Sequence, residues 1–380
     1  MIMAGGAGTR LWPMSRKGRP KQLIRFIERA SSKGMGSGPT SLLAVAARRL
    51  EGLIPLPNRF ICTSEHYREA IGEELPGYKD SQIIGEPEGR DTVNAIGLTA
   101  AILVKEDPDA IFAVLTADHI IEPDKTFRER MDLGFRLVED DPRRLVTFSI
   151  KPTYAATGFG YVERGTPIRG VEGAEKLAFH VARFVEKPDK PRAEAYFRSG
   201  EFSWNSGMFV WKAATFLEAL KKYKPECHAG LMEIAESWGK RGAKGVLEKV
   251  YPTLPRISVD YAVMEPAARD ALKDDAKGKA RFSVCTVQMD VQWLDVGSWP
   301  SYAETLDKDK DANRFAGQGA SVMTGCRNTL VVNSQKGHTI AVLGGDDLIV
   351  VHTPDATLIM PRARAEELKT LHTQLDERLK

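Results

Sequence analysis

The chain has little of several things that would decide its class at once. Charge of one sign is missing: 54 Lys and Arg face 51 Asp and Glu, a net +3 over 380 residues. Such balance leaves no electrostatic footprint for nucleic acid or an anionic membrane surface. Cysteine is scarce: Cys62, Cys227, Cys285 and Cys326 are scattered and form no C-x-x-C, so neither a zinc site nor a disulfide framework is indicated. No apolar run approaches the ~20 residues that span a bilayer. Nor does the start read as a secretory signal, because glycines interrupt the first apolar residues at once. These absences lead us to expect a cytoplasmic protein with neither nucleic-acid nor membrane partners.

What is present is a globular composition, 42% apolar and 28% charged, on a chain long enough to bury a sizeable core. The opening carries the densest signal. Met1-Ile2-Met3-Ala4 reads as a strand, and Gly5-Gly6-Ala7-Gly8-Thr9-Arg10 follows it. Glycines there let backbone N–H groups approach a ligand without a Cβ in the way, which suits phosphate oxygens. Arg10 and Lys21 add positive charge, one as a planar fork and one as a point charge. Two familiar phosphate loops are excluded by the letters. A dinucleotide fingerprint needs glycine where Leu11 stands, and a Walker loop needs Gly-Lys-Ser/Thr where Gly8-Thr9-Arg10 stands.

Downstream, residues 31–40 form a Gly/Ser-rich connection. Then strands and helices alternate: helix 41–50, strand 59–63, helix 66–75, strand 81–85, an Ala-rich helix from about residue 92 to Lys105, and the apolar run Ala110–Leu115. That alternation predicts a doubly wound α/β sheet. Ligands of such sheets gather at the carboxyl ends of the strands, which places the Gly5–Arg10 loop, the Glu86–Thr92 loop and Asp118 along one rim. Residues 181–188 and 202–211 continue in a more mixed pattern, and 215–223 reads as an amphipathic helix stopped near Pro225. From about Asn313 the character changes to short β-rich runs (329–333, 339–343, 348–352, 357–360), which predict a sandwich or solenoid-like appendage. The chain therefore divides into a unit over 1–312 and a β segment over 313–380. The latter closes with a helix over 366–380 whose Leu368, Leu371, Leu375 and Leu379 form one face that packs on the β runs.

The opening string, with Trp12-Pro13, Ser15-Arg16 and Pro20-Lys21-Gln22, resembles the signature of the sugar nucleotidyltransferases, and in particular their mannose-1-phosphate guanylyltransferase branch. The resemblance spans nearly the whole chain. It implies a Rossmann-like mixed sheet of the kind shared with GT-A glycosyltransferases, followed by a short left-handed β-helix. It implies GTP and mannose 1-phosphate as substrates and Mg²⁺ as cofactor, and leaves a homodimer open. Residue by residue, Ala4, Gly5, Gly6, Gly8, Thr9, Arg10 and Lys21 match the triphosphate loop. Glu86, Arg90, Asp91 and Thr92 match the base-recognition stretch, although Asp91 stands where Asn is usual and Val93-Asn94 where Ala-Pro is usual. Asp91 either accepts from guanine or caps the helix that starts there, and the cap is the preferred reading. Asp118 and Asp295 match the metal aspartates, and a hard ion held by few carboxylates plus substrate phosphates fits them. His119 is read as structural.

On the sugar side, Gly160-Tyr161, Glu186-Lys187 and Asn205 with Gly207 match the family's T-G-Y-G-Y, F-x-E-K-P and W-N-S-G-M-F segments. The resemblance makes Arg10, Lys21, Asp118 and Lys187 the catalytic set. Ser258–Glu265 also matches, with no role assigned beyond lining the sugar side. The family usually has a few more strand residues before the loop. The cupin-like isomerase domain of some longer relatives is missing from this sequence, so no phosphomannose isomerase activity is expected. Three other readings compete: a sister transferase for another hexose 1-phosphate or NTP, a non-catalytic regulatory subunit that binds sugar nucleotides, and a glycosyltransferase. The last would not need the Gly5–Arg10 loop with Lys21.

Overall fold

The computed structural model describes residues 1–6, 8–27, 39–275 and 280–380. The connection read over residues 31–40 lies, up to residue 38, outside the described residues, as does Ala7. In chain order the strands of the first part are β1 (Ile2–Met3), β2 (Arg25–Ile27), β3 (Thr40–Ser41), β4 (Ile61–Ser64), β5 (Ile83–Glu86), β6 (Ile111–Thr116) and β7 (His119–Glu122). Next come β8 (Arg144–Ile150), β9 (Tyr161–Pro167), β10 (Ala178–Val185), β11 (Phe202–Lys212), β12 (Ser283–Gln288) and β13 (Gln292–Asp295).

The main sheet runs β5-β4-β1-β6-β11-β8-β12-β10-β9. Its first half is parallel, as the strand–helix alternation predicts, with β1 between β4 and β6. The apolar run of β6 is buried in the middle of this half. Then β11 enters antiparallel to both β6 and β8, so the sheet is mixed. Beyond it β9 pairs back onto β11, which closes β11, β8, β12, β10 and β9 into a ring. Local pattern carries no trace of that closure, because strand partners are chosen over long separations.

The helices fall where periodicity and caps put them. Leu42–Arg49 is started by Ser41, whose hydroxyl accepts from the Ala44 N–H at 3.1 Å, and it ends on Arg48 and Arg49. Asp91–Glu106 buries its central residues, 93–102, between the sheet and the helices Ala213–Tyr223 and Pro225–Ser237. Pro225 ends the first of those helices and occupies the first turn of the second. Trp211 anchors this side, fully buried and stacked between Phe209 and Phe216 at 4.9 and 4.7 Å. Among the described residues no helix is long and apolar enough to cross a membrane.

The C-terminal part contains β14 (Arg314–Gly317), β15 (Ala320–Thr324), β16 (Leu330–Asn333), β17 (Thr339–Leu343), β18 (Leu348–Thr353) and β19 (Ala356–Pro361). The four β runs of the sequence are there, and β14 and β15 are added to them. Parallel ladders β14-β16-β18 and β15-β17 stack as successive coils, with β19 folding back antiparallel on β18. This is the β-helix-like arm of the two arrangements read from the spacing. Buried Asn313 and Asn333 hold its corners by donating to the Cys326, Ala320 and His338 carbonyls.

The closing helix is a correction. The four leucines do not share one helical face: a helix covers only Leu368–Thr373, with 3₁₀ turns at Arg362–Glu367 and Glu377–Leu379. Leu368 is buried, while Leu371 is 41% exposed. Leu368 joins a core shared by Leu11, Trp12, Ile24, Val296, Trp299 and the solenoid residues Leu330, Ile349 and Val351. The terminal segment thus packs on the glycine-loop region as well as on the β coils.

Candidate active site

The rim predicted from strand ends exists. A cleft of about 440 Å³ is lined by Gly5, Gly6, Glu86, Asp91, Thr92 and Asp118 of the predicted set. It is also lined by Gln22, Gly89, Thr116 and Arg256, none of them in that set. At the loop, Gly8 has φ +66, and a Cβ there would stand 2.6 Å from the Lys21 Cβ, so only glycine lets the loop close over Lys21. Thr9 opens a 3₁₀ turn with Arg10 and Leu11. Gln22 donates its amide to the Gly5 carbonyl, tying the two halves of the signature together. Ala4 contributes differently from the glycines: its side chain is fully buried and its N–H donates to the Cys62 carbonyl at 2.8 Å.

Asp118 and Asp295 meet because β7 and β13 form a two-stranded ladder that pairs His119 with Asp295. The Val296 N–H donates to the Asp118 carbonyl at 3.0 Å and fixes the approach. Ligand atoms of Asp118, His119 and Asp295 all lie within 4.8 Å of one another. The Lys21 ammonium donates to Asp118 Oδ2, while buried Asp295 Oδ1 has no hydrogen-bond partner. Burial pushes the Asp118 carboxyl up, but the Lys21 ammonium beside it outweighs burial and holds it at about 2. Asp295 is raised, by burial and then by Asp118. Burial works against the Lys21 ammonium, yet the two aspartates keep its pKa above the ordinary value. Burial also lowers His119, whose Nδ1 accepts from the Trp293 indole at 3.2 Å, as a neutral ring does. One buried carboxylate oxygen without a donor is a place where a divalent cation fits.

In the Glu86–Thr92 stretch, buried Glu86 accepts from the Tyr251 hydroxyl. Burial raises its carboxyl to about 7, with Tyr251 opposing and Asp91 adding to the rise. Asp91 has φ +63 and its Oδ1 accepts from the Thr92 N–H at 2.8 Å; it is the first residue of the helix, whose N-cap position is Arg90, and no side chain caps that end. Asn94, where Pro is usual in the family, donates to the Arg90 and Pro255 carbonyls at 2.9 and 2.7 Å. It thereby brings the segment that carries Arg256 to the cleft. Thr92 Oγ1 accepts from the Val259 N–H at 2.8 Å in the same join. Arg90 pairs with Glu88 and does not line the cleft.

The residues that the resemblance assigns to the sugar gather at one end of the strand ring. Thr147 donates to Asn205 Oδ1, and Asn205 Nδ2 donates to Asp260 Oδ1, both at 2.8 Å. A Cβ on Gly160 would run into Glu186 Oε2 and lie 3.3 Å from the Asn205 Cβ, so these three positions touch. Lys187, at φ +45, pairs with Glu186 Oε1 at 2.9 Å. Asp260 is raised to about 7, by burial and then by Glu186. It sits in a single π-helical turn (Asp260–Met264), a geometry common at functional sites. Gly207, φ +70, stands beside Thr116, which borders the cleft. Tyr161 does not join them through its side chain: it is fully buried and its hydroxyl donates to the Ala156 carbonyl at 2.9 Å. Asp260 was legible only as part of a matching stretch, and Tyr251 and Arg256 had no signal of their own.

With this geometry in hand, the chain was compared with known proteins. A model of the nucleotidyl transferase family matches residues 1–312, and one of the MannoseP isomerase/GMP-like beta-helix domain matches residues 321–375. The chain is 35% identical over 376 residues to a mannose-1-phosphate guanylyltransferase of Klebsiella pneumoniae, covering 97% of this chain and 72% of that one. It is 35% identical over 379 residues to the xanthan biosynthesis protein XanB of Xanthomonas campestris pv. campestris strain B100, covering 99% and 72%. A solved structure from Thermus thermophilus, described as a mannose-1-phosphate geranyltransferase, superposes with a TM-score of 0.79 at 29% identity, covering 98% and 97%.

Proposed function

Because the chain belongs to the nucleotidyl transferase family, we propose that it transfers GMP from GTP to α-D-mannose 1-phosphate, giving GDP-mannose and pyrophosphate. The observation that carries the reading is the single cleft on which the glycine loop, the Glu86–Thr92 loop and Asp118 converge, with Asp295 delivered beside Asp118. The relatives at 35% identity supply the guanine and mannose.

The chemistry is an in-line displacement. An oxygen of the sugar phosphate forms a bond to the α-phosphorus of GTP, the bond from that phosphorus to the β-phosphate bridging oxygen breaks, and its electron pair leaves on pyrophosphate. The attacking oxygen is already an anion, so no general base is needed; alignment and charge neutralisation do the work. The loop N–H groups of Gly5, Gly6, Gly8 and Thr9, with Arg10 and Lys21, hold the triphosphate and take up charge on the departing pyrophosphate. Lys187, on its positive-φ turn, anchors the attacking phosphate, while Glu186, Asn205 and Gly160 hold the hexose. Asp118 and Asp295 would hold Mg²⁺, and the ion would supply positive charge to neutralise the substrate phosphates. Asp91, engaged on Thr92, supports reading its departure from the family pattern as structural rather than as a change of base.

We place the enzyme in the cytoplasm, with catalytic and β units meeting at 312/313 and the coils of the second forming a left-handed β-helix. Pyrophosphate release with Mg²⁺, over a grid of four NTPs and several hexose 1-phosphates, tests the activity. A peak at GTP with mannose 1-phosphate supports it; a peak at another pair moves the error to the Glu86–Thr92 loop or the sugar pocket. No release with any pair would replace the reading with a regulatory sugar-nucleotide binder.

A further inference from the structure

Residues 362–380 return from the solenoid to the glycine loop and grip it at several points. Leu368 packs in the core that holds Leu11 and Trp12. The Trp12 indole donates to the Leu379 carbonyl at 2.8 Å, and the Lys17 N–H donates to the Lys380 carbonyl at 2.6 Å. Within this grip Arg10 Nη1 donates to Glu366 Oε1 at 2.7 Å. The other end of the same guanidinium lies near Asp295, with Gly297 between them: a Cβ built on Gly297 would lie 3.2 Å from Arg10 Nη2 and 3.2 Å from Asp295 Oδ1. Arg10 therefore spans from a carboxylate of the terminal segment to the edge of the Asp118–Asp295 pair.

We propose that Glu366 is a positioning residue: it holds the Arg10 guanidinium by one edge so that the remaining N–H edge faces the incoming triphosphate. The inference rests on the reading of Arg10 as a triphosphate contact. An ion pair whose partners are 32% and 68% exposed adds little to folding. What it does is remove rotamer freedom from a long side chain before the ligand arrives. Arginine suits this use, because its planar fork can satisfy a carboxylate on one edge and a phosphate on the other. Ordering one such side chain only on binding weakens affinity about 3- to 10-fold. The β segment would in this way complete the nucleotide site of the catalytic unit.

The test compares wild type, Glu366→Gln, Arg10→Ala and the double variant in the full-length chain. It uses GTP, or whichever nucleoside triphosphate the wild type consumes, and reads Kd by calorimetry beside steady-state pyrophosphate release. Glu366→Gln is expected to raise Kd and KM for the triphosphate about fivefold, with kcat, KM for the hexose phosphate and Tm nearly unchanged. In the Arg10→Ala background the same substitution is expected to change Kd no further. Equal or tighter triphosphate binding by Glu366→Gln would overturn the proposal and make Glu366 inert or a competitor for Arg10. The same loss in both backgrounds would overturn it too, since Glu366 would then not act through Arg10. Failure of the functional reading looks different: the wild type itself would release no pyrophosphate from GTP and mannose 1-phosphate.

Discussion

Replacing Lys21 with methionine removes an ammonium and keeps most of its stem, and the structure says what that leaves behind. Lys21 and Asp118 are 14% and 20% exposed, and Asp295 Oδ1 has no partner of its own. Without Lys21, two buried carboxylates face each other within 4.8 Å. Breaking a buried pair by deleting one partner costs roughly 3–5 kcal/mol, and the residual exposure favours the lower end, about 3 kcal/mol. The Asp118 pKa of about 2 is depressed below the ordinary carboxylate value. Its stabilising contribution is therefore complete above about pH 4 and lost only as pH falls toward 2, so at neutral pH all of it is at stake. For the unit over residues 1–312, an unfolding entropy of about 2.1 cal/mol/K per residue turns this into a Tm loss of about 4–5 °C. Thermal melts of wild type and Lys21→Met in EDTA measure it. Excess Mg²⁺ should restore most of the loss in the variant, because a divalent cation supplies charge to the same carboxylates. A variant that melts with wild type in EDTA, or whose loss Mg²⁺ leaves untouched, would refute the reasoning. From sequence, Lys21→Ala is expected to harm turnover more than folding; burial beside two aspartates adds a folding cost.

Three further outcomes follow from the same geometry. Because burial lifts Glu86 to about 7 in the folded protein, that group stabilises below about pH 4.5 and the contribution is lost as pH rises through 7. In denaturant titrations from acid to neutral pH, Glu86→Gln should flatten the stability profile by roughly 3 kcal/mol, and an unchanged slope would show that Glu86 is not the titrating group. Gly160→Ala drives a methyl against Glu186 and Asn205, so KM for the hexose phosphate should rise at least about tenfold while KM for the triphosphate stays put. Equal effects on both substrates would argue against a sugar pocket there. Asp91→Ala should cost about 1 kcal/mol through the lost hydrogen bond to the Thr92 N–H and leave the preference among NTPs intact; collapse of that preference would make Asp91 a base contact.

How much of this could be read in advance differs from element to element. The strand–loop opening, the helix after Ser41, the buried run of β6 and the coils from β16 to β19 were legible because glycine placement, caps and periodicity act within a few residues. Asp118 and Asp295 could be named singly by position and family pattern, yet nothing local shows that β7 and β13 pair and bring them face to face. Terminal leucines at helical spacing promised one helix and formed a short helix between 3₁₀ turns, because the apolar partner available to them was the compact core around Leu11 and Trp12. Tyr161 sat inside a matching motif but turned its hydroxyl into the interior.

The sequence by itself determined the glycine-rich loop and the strand–helix alternation up to β6, since backbone freedom at glycine and apolar periodicity are properties of neighbouring residues, while the reaction class came from the family resemblance of its motifs. Only the tertiary structure decided the rest: the ring closed by β9 on β11, the unpaired carboxylate beside Lys21, the Glu86–Tyr251 bond and the hold of Glu366 on Arg10. Each of these joins residues far apart in the chain. Their energies arise from burial and from partners that exist only once the chain has closed upon itself.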